Sequence, residues 1–141
     1  VGDFQRCGHM PVSNLFGTSG VRGLIGQEID EKFSYGLGLA LGKYLGRGRA
    51  LVARDPRPGA KEITQALIKG LQKAGIEVEA SGILPTPELT WYQVKQGADL
   101  GVSVTGSHLP WNMIGIIPTL KDGGGIYGKE GEKITKIYES L

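Results

Sequence analysis

Apolar and polar residues follow two periods along this chain, one typical of helices and one typical of strands. Between Ile76 and Ser81, apolar and polar residues alternate singly, which predicts a strand with one buried face. Elsewhere apolar residues recur every three or four positions, which predicts amphipathic helices. The helical segments carry their apolar residues at Phe33, Leu37, Leu41, Tyr44 and Leu45, at Ile63, Leu67, Leu71 and Ala74, and at Ile134, Ile137, Tyr138 and Leu141.

Residues that favour helix caps and turns lie at the ends of these helices. Asp30 precedes the first helix and is suited to accept hydrogen bonds from its first turn. Gly75 follows the second helix at the position where glycine commonly ends a helix. Thr86 and Pro87 predict the start of a third helix, with Thr86 as cap, and this helix ends near Gly97.

Short apolar runs between the helices predict buried strands. Strand centres near Val52, Val78 and Val102 recur at the spacing of a βα unit. A short connection after Val104 leads to the apolar run Ile114–Leu120, which predicts one antiparallel strand, and another short strand is expected within Leu15–Ile25. The pattern therefore predicts an α/β fold, a three-layer α/β/α sandwich with a mixed, mostly parallel sheet.

Ligands of open α/β sheets bind beyond the carboxyl ends of the strands. The two loops that follow predicted strands there are Arg54–Gly59 and Thr105–Ile114. In the second loop Ser107 stands between Gly106 and His108. A glycine allows close approach of the backbone to a phosphate, and successive N–H groups in such a turn can hold an anion. The same residues would also suit an ordinary surface turn.

Composition restricts the possible functions. A length of 141 residues fits one domain, and a net charge of +2 without a polybasic run makes nucleic acid an unexpected partner. No apolar stretch is long enough to cross a membrane, so we expect a cytoplasmic protein.

Residues 1–10, which contain the single cysteine Cys7, read as an expression leader ahead of Met10. Glycine is abundant, at 24 residues, and Gly36, Gly38 and Gly42 predict a helix packed closely against the sheet.

Three motifs, taken together, resemble those of the α-D-phosphohexomutases, the phosphoglucomutase/phosphomannomutase family. Gly106-Ser-His-Leu-Pro110 resembles the serine loop of that family, Phe16–Gly23 its N-terminal signature, and Arg54-Asp-Pro-Arg57 its Asp-x-Arg loop. The motifs occur in the family's order, and the resemblance covers residues 14–138. It identifies residues 11–141 as domain I, the phosphoserine-bearing domain, of a multidomain enzyme from which this chain is expected to be truncated.

The resemblance implies an isomerase that moves a phosphoryl group between the 1- and 6-positions of a sugar, or the corresponding positions of a pentose. The reaction runs through a phosphoserine and a bisphosphate intermediate. Catalytic roles fall on Ser107, His108 and Arg22, and phosphate-binding roles on Ser19, Gly106 and Arg57. For the pair Asp55 and Arg57, a structural role in holding the loop is an open alternative. Ser107 would also bind a Mg²⁺ ion that is shared with another domain.

One position departs from the family pattern and keeps an alternative function open. The family usually carries Asn-Gly-x-Lys after the serine loop, whereas this chain has Ile114-Gly-Ile-Ile117, so the lysine that helps with proton transfer is absent. A degenerate, non-catalytic phosphosugar-binding homologue is therefore an alternative to the enzyme. A flavodoxin-like nucleotide-binding module is a third hypothesis, although the chain lacks a G-x-G-x-x-G fingerprint. The expected partners are a phosphosugar and the remaining domains of the same enzyme, without which this piece is expected to be inactive.

Overall fold

The structure, a computed structural model, describes residues 14–17 and 20–141. Strands and helices alternate along these residues until two strands follow each other directly. The strands are β1 (Val21–Leu24), β2 (Gly48–Arg54), β3 (Ile76–Ile83), β4 (Leu100–Thr105) and β5 (Met113–Leu120). The helices are α1 (Glu31–Leu45), α2 (Ala60–Lys73), α3 (Thr86–Gln96) and α4 (Gly128–Glu139).

The five strands form a single mixed sheet in the order β1-β5-β4-β2-β3. Strand β2 pairs in parallel with both β3 and β4, whereas β5 pairs antiparallel with both β4 and β1. Four strands therefore run in one direction, and β5 alone runs in the other. This arrangement confirms the predicted α/β fold with a mixed, mostly parallel sheet, including the single antiparallel strand after Val104.

The two faces of the sheet are covered unequally. Helices α1, α2 and α4 bury the larger core against one face, in a cluster that includes Leu37, Leu67 and Ile134 of the helices and Val102 of β4. On the opposite face, α3 forms a smaller cluster in which Leu89 packs against residues of β2. Successive side chains of a strand point to opposite faces of the sheet. In β1, β4 and β5, the residues that alternate in sequence with the main-core residues therefore face the side that carries α3. Arg22 is one of them.

Helices α1 and α2 approach each other through their backbones. A Cβ atom added at Gly38 would meet the carbonyl oxygen of Leu67, and one added at Gly70 would meet the carbonyl oxygen of Tyr35. The prediction of close packing against the sheet is therefore wrong at Gly38. It holds in part at Gly42, where an added Cβ atom would lie 3.2 Å from Cγ1 of Ile76 in β3. Gly38 allows α1 to contact a neighbouring helix, because glycine leaves room for another backbone.

The helix boundaries follow the predicted caps with one exception. The Oδ1 atom of Asp30 accepts a hydrogen bond of 2.7 Å from the Phe33 amide, which confirms Asp30 as the cap of α1. Gly75 adopts a positive φ of 94° directly after α2, as predicted. Thr86, in contrast, is the first residue of α3, and Pro85 takes the cap position. The Thr86 hydroxyl instead lies 2.8 Å from the Ser103 hydroxyl of β4.

The helices are short. The longest of those that the structure describes, α1, has 15 residues. In the part of the chain that the structure describes, no helix has the length and apolar character that spanning a membrane requires.

Candidate active site

The register of the sheet brings Arg22 and Thr105 to the two sides of one glycine. Gly115 of β5 pairs with Arg22 of β1 on one side and with Thr105 of β4 on the other. A Cβ atom added at Gly115 would lie 3.0 Å from Cγ of Arg22. The absence of a side chain at Gly115 therefore gives the stem of Arg22 room to lie across β5, on the side of the sheet that carries Thr105.

Ser107 lies just beyond the carboxyl end of β4, in the loop where the sequence predicted it, and its side chain is exposed. Its φ of 48° is the one positive value at a non-glycine position among the described residues. The left-handed conformation costs roughly 1–2 kcal/mol at an ordinary residue. Such conformations persist where the surrounding structure holds them, and they concentrate at functional sites.

A depression of about 130 Å³ beside Ser107 contains the other predicted catalytic residues. Arg22 and His108 line it together with Thr105 and Ile117. Among the described residues, the Arg22 guanidinium has no hydrogen-bond or ion-pair partner, so its donors are free to bind an anion. The structure thus brings the hydroxyl of Ser107, one cationic side chain and one imidazole to a single cavity.

The carboxylate of Asp55 organises the base of the serine loop. Its Oδ2 atom accepts hydrogen bonds from the Thr105 hydroxyl at 3.0 Å and from the Gly106 amide at 2.9 Å. The same atom accepts from Nε of Arg57 at 3.0 Å, and Oδ1 accepts from the Arg57 amide at 3.2 Å. Because β2 and β4 are parallel neighbours, the loops that follow them meet at one edge of the sheet, and Asp55 connects them.

Arg57 is buried, with 6% of its surface exposed, and its guanidinium donates hydrogen bonds to the backbone of the serine loop. Nη1 donates to the carbonyl oxygens of Leu109, Pro110 and Met113 at 3.3, 2.9 and 2.7 Å, and Nη2 donates to that of Ser107 at 3.3 Å. Of the two roles considered for this pair, these contacts fit the structural one. Phosphate binding by Arg57 remains a prediction that this arrangement does not support.

Gly106 lies against the pair Asp55 and Arg57. Its amide donates to Asp55, and a Cβ atom at this position would overlap the guanidinium of Arg57. The absence of a side chain at Gly106 therefore leaves room for Arg57. Phosphate binding by Gly106 stays a prediction.

Gly106→Ala is expected to lower the free energy of unfolding by about 1–3 kcal/mol, the usual effect of overpacking. Gly106 does not have a positive φ, so the backbone tolerates alanine and the effect must come from displacement of Arg57. Urea denaturation measures the change. Gly125→Ala is the matched control, because its new Cβ would meet nothing closer than 3.8 Å. Equal effects of the two substitutions would contradict the contact.

A second depression, of about 360 Å³, lies on the other side of Ser107. Arg54, Ile83 and Trp111 are among the residues that line it. The indole of Trp111 is 65% exposed and lies 5.1 Å from the Arg57 guanidinium carbon, a cation–π contact. Trp111 therefore does not cap the core.

Two tyrosines away from this site have altered acidity. Burial, and then the hydrogen bond and negative charge of Glu130, raise the pKa of Tyr44. Burial, and then the charge of Asp30, raise the pKa of Tyr138. Both rings stay protonated and neutral throughout the physiological range, so neither adds a titration to the chemistry near Ser107.

The residues beside Ser107 do not form a magnesium site by themselves. Mg²⁺ prefers six oxygen ligands in octahedral geometry, several of them waters and one or two of them carboxylates. Within the described ranges, no group of three or more His, Cys, Asp or Glu side chains could hold a metal ion. The carboxylate of Asp55 already accepts four hydrogen bonds. Magnesium held jointly with another domain therefore stays a proposal.

One residue of the site was not predicted from the sequence, and one predicted residue lies outside the described part of the chain. Thr105, which links Asp55 to the Ser107 amide, was not among the predicted site residues. Its position as the last residue of β4 was a usable signal, because that position faces the carboxyl end of β2. Ser19, predicted to bind phosphate, lies outside the described residues, as do residues 1–13, so its role and the expression leader stay predictions.

Known proteins resemble this chain over nearly its whole length. Residues 13–141 match the family model described as phosphoglucomutase/phosphomannomutase, alpha/beta/alpha domain I. A "Probable phosphoglucosamine mutase" of Pyrococcus furiosus is 45% identical over 129 residues, which are 91% of this chain and 28% of the relative. A "Phosphopentomutase" of Thermococcus kodakarensis is 35% identical over 89% of this chain and 28% of its own length.

Solved structures give the same result. The crystal structure of a "putative phosphomannomutase" from Thermus thermophilus superposes with a TM-score of 0.81 at 31% identity, covering 91% of this chain and 30% of that one. The chain spans less than a third of the length of the relatives that it matches. The resemblance inferred from the three motifs is confirmed: the chain belongs to the phosphoglucomutase/phosphomannomutase family and corresponds to its α/β/α domain I.

Proposed function

We propose that this chain is the phosphoserine-bearing domain of a phosphosugar mutase, an enzyme that interconverts sugar 1-phosphates and 6-phosphates. The observation that carries the proposal is the exposed Ser107, held in a left-handed turn beside Arg22, whose guanidinium has no partner among the described residues. The non-catalytic alternative is not favoured, because the relatives named above are called mutases. The cytoplasmic location expected from the sequence belongs to this proposal as well.

The proposed reaction transfers one phosphoryl group in each direction. In the first step the P–Oγ bond of phosphorylated Ser107 breaks, and a P–O bond forms to a free hydroxyl of the sugar phosphate. The product is a sugar bisphosphate, and the proton of the attacking hydroxyl leaves with a base. In the second step the P–O bond between the sugar and its other phosphoryl group breaks, and a P–O bond forms to Oγ of Ser107. The Ser107 hydroxyl gives up its proton, and the released sugar oxygen takes up a proton. Phosphoryl transfer of this kind depends mainly on positioning and charge neutralisation.

Arg22 is the proposed source of charge neutralisation within this domain. A phosphoserine carries about −1.5 to −2 charges at neutral pH. A guanidinium stays protonated and can donate two parallel hydrogen bonds to a phosphate. Arg22 lines the same cavity as Ser107 and has no competing partner among the described residues, so its donors can face the transferring group. His108, exposed in the same cavity, is the proposed neighbour of the reacting phosphate.

Ile117→Lys is expected to raise kcat. Ile117 lines the cavity with Ser107 but cannot accept a proton, and acid–base assistance is typically worth ~10²–10⁴-fold. We therefore expect a gain of roughly 10-fold or more from a lysine in the full-length protein. Ile117→Met is the matched control, because it keeps a long side chain without a titratable group. An equal kcat in the lysine variant, the methionine variant and the wild type would show that proton transfer does not limit the reaction.

The substrate and the activity are tested together by one assay. The full-length protein is given the 1-phosphates of glucose, mannose, glucosamine and ribose, each with a sugar bisphosphate as activator. We expect conversion of at least one of the four, and absence of conversion for all of them would refute the proposed function. The 141-residue chain is assayed in parallel and is expected to be inactive, because orienting a substrate can supply ~7–11 kcal/mol of a barrier and one domain offers only one side of the site.

A further inference from the structure

The turn at Ser107 is held by a chain of three hydrogen-bonding groups. The Ser107 amide donates to the Thr105 hydroxyl at 3.1 Å. The Thr105 hydroxyl donates to Oδ2 of Asp55 at 3.0 Å. The direction of both bonds is fixed, because an amide can only donate and a carboxylate can only accept. The Thr105 hydroxyl must therefore direct its proton to Asp55 and a lone pair to Ser107.

The other side of the Ser107 residue is held as well. Nη2 of the buried Arg57 donates to the Ser107 carbonyl, and Arg57 is itself bound through Nε to the same Oδ2 atom of Asp55. The amide and the carbonyl of Ser107 are thus both tied, through one intermediate each, to a single carboxylate oxygen. Such double restraint can maintain a backbone conformation that the residue would not adopt alone.

We propose that Thr105 is a positioning residue for phosphoryl transfer, which acts by holding Ser107 in its left-handed conformation. The proposal rests on the proposed function and extends it to a residue whose hydroxyl is already engaged by Asp55 and the Ser107 amide. Thr105 is well placed for this role because it ends β4 and is fixed by pairing with Gly115. Its backbone belongs to the pairing of β4 with β5. Its hydroxyl connects Asp55 to the Ser107 amide, in addition to the contacts that Asp55 makes with Gly106 and Arg57.

The consequence concerns rate rather than substrate binding. A misplacement of about 1 Å at a reacting group can lower a rate by roughly 100-fold. Loss of the Thr105 hydroxyl should therefore reduce kcat by up to about 100-fold. The KM for the sugar phosphate should change little, because the proposal gives Thr105 no contact with the sugar.

The test compares Thr105→Val, Thr105→Ser and Thr119→Val in the full-length protein. Valine has the shape of threonine without its hydroxyl, whereas serine keeps the hydroxyl. Thr119→Val makes the same change in β5, where the hydroxyl donates to Oε1 of Gln93 at 2.6 Å, away from Ser107. We expect a lower kcat with unchanged KM for Thr105→Val, near-complete rescue in Thr105→Ser, and wild-type kcat for Thr119→Val even if that variant is less stable.

A structural measurement separates this proposal from the proposed function. The scalar coupling between the amide and α protons of Ser107, together with its amide exchange rate, reports whether the left-handed turn and the hydrogen bond are present. We expect both to change in Thr105→Val and to be restored in Thr105→Ser. An unchanged coupling in Thr105→Val, or an altered coupling with full kcat, would overturn the positioning role. If the wild-type protein shows no mutase activity, the proposed function fails, and the coupling alone then decides whether Thr105 holds the turn.

Discussion

Ser107→Ala is expected to lower the mutase activity of the full-length protein below detection, because alanine has no oxygen atom to carry the phosphoryl group. Alanine is a suitable replacement at this position, because it keeps the Cβ atom of serine and has the same free-energy cost in the left-handed conformation. The backbone hydrogen bonds of residue 107 to Thr105 and Arg57 do not use its side chain, so they are retained. The expected loss is therefore chemical and not a consequence of unfolding.

Activity and stability are measured on the same protein preparations to make that distinction. Ser140→Ala is the matched control, because it removes the hydroxyl of another exposed serine, after the end of α4, where the hydroxyl donates to the Ile137 carbonyl. We expect Ser140→Ala to keep wild-type kcat, and Ser107→Ala to unfold at the wild-type urea concentration. Substantial activity of Ser107→Ala would show that another group carries the phosphoryl group.

Asp55→Ala is expected to lower the free energy of unfolding by about 3 kcal/mol. Removing one partner of a buried ion pair typically costs ~3–5 kcal/mol, because the other charge is left without compensation. Here the guanidinium of Arg57 is 6% exposed, and Asp55 is 19% exposed, so the lower end of the range applies. The Thr105 hydroxyl and the amides of Gly106 and Arg57 lose their acceptor in the same substitution.

The effect should be large relative to the stability of the domain, since domains are typically stable by only ~5–15 kcal/mol. Urea denaturation followed by circular dichroism measures it. Asp122→Ala is the control, because that exposed carboxylate accepts one hydrogen bond, from the Gly124 amide. If Asp55→Ala and Asp122→Ala lower the stability equally, the Asp55–Arg57 pair does not hold the domain together as described.

The architecture could be predicted from the sequence because its signals are local. The period of apolar residues separated helices from strands, and the short connection after Val104 indicated that β5 runs antiparallel to its neighbour. The close approach of α2 at Gly38 was not predicted, because the packing partner of a glycine depends on tertiary structure. Nothing near Gly38 in the sequence reveals that the backbone of α2, and not the sheet, lies against it.

The parts of the candidate site that lie within the sequence motifs could be predicted. The serine loop and Arg22 were found from residue patterns, and the register of β1, β5 and β4 brings them to one cavity. The roles within the loop were harder to predict, because a hydrogen-bonding direction depends on where each side chain points. The family resemblance assigned Arg57 and Gly106 to phosphate binding, and it did not reveal that the Arg57 guanidinium lies against Gly106.

The most direct test of the central claim is to locate the phosphate on the protein. The full-length protein is incubated with the sugar bisphosphate that supports its activity, digested with trypsin and analysed by tandem mass spectrometry. Cleavage after Lys95 and Lys121 releases a peptide that holds Ser107 and also Ser103, whose side chain is buried in β4. Fragment ions that place the phosphate on Ser107 are the predicted result. Phosphate on any other residue, or none on a preparation that turns over substrate, would contradict the assignment of Ser107 as the phosphoryl carrier.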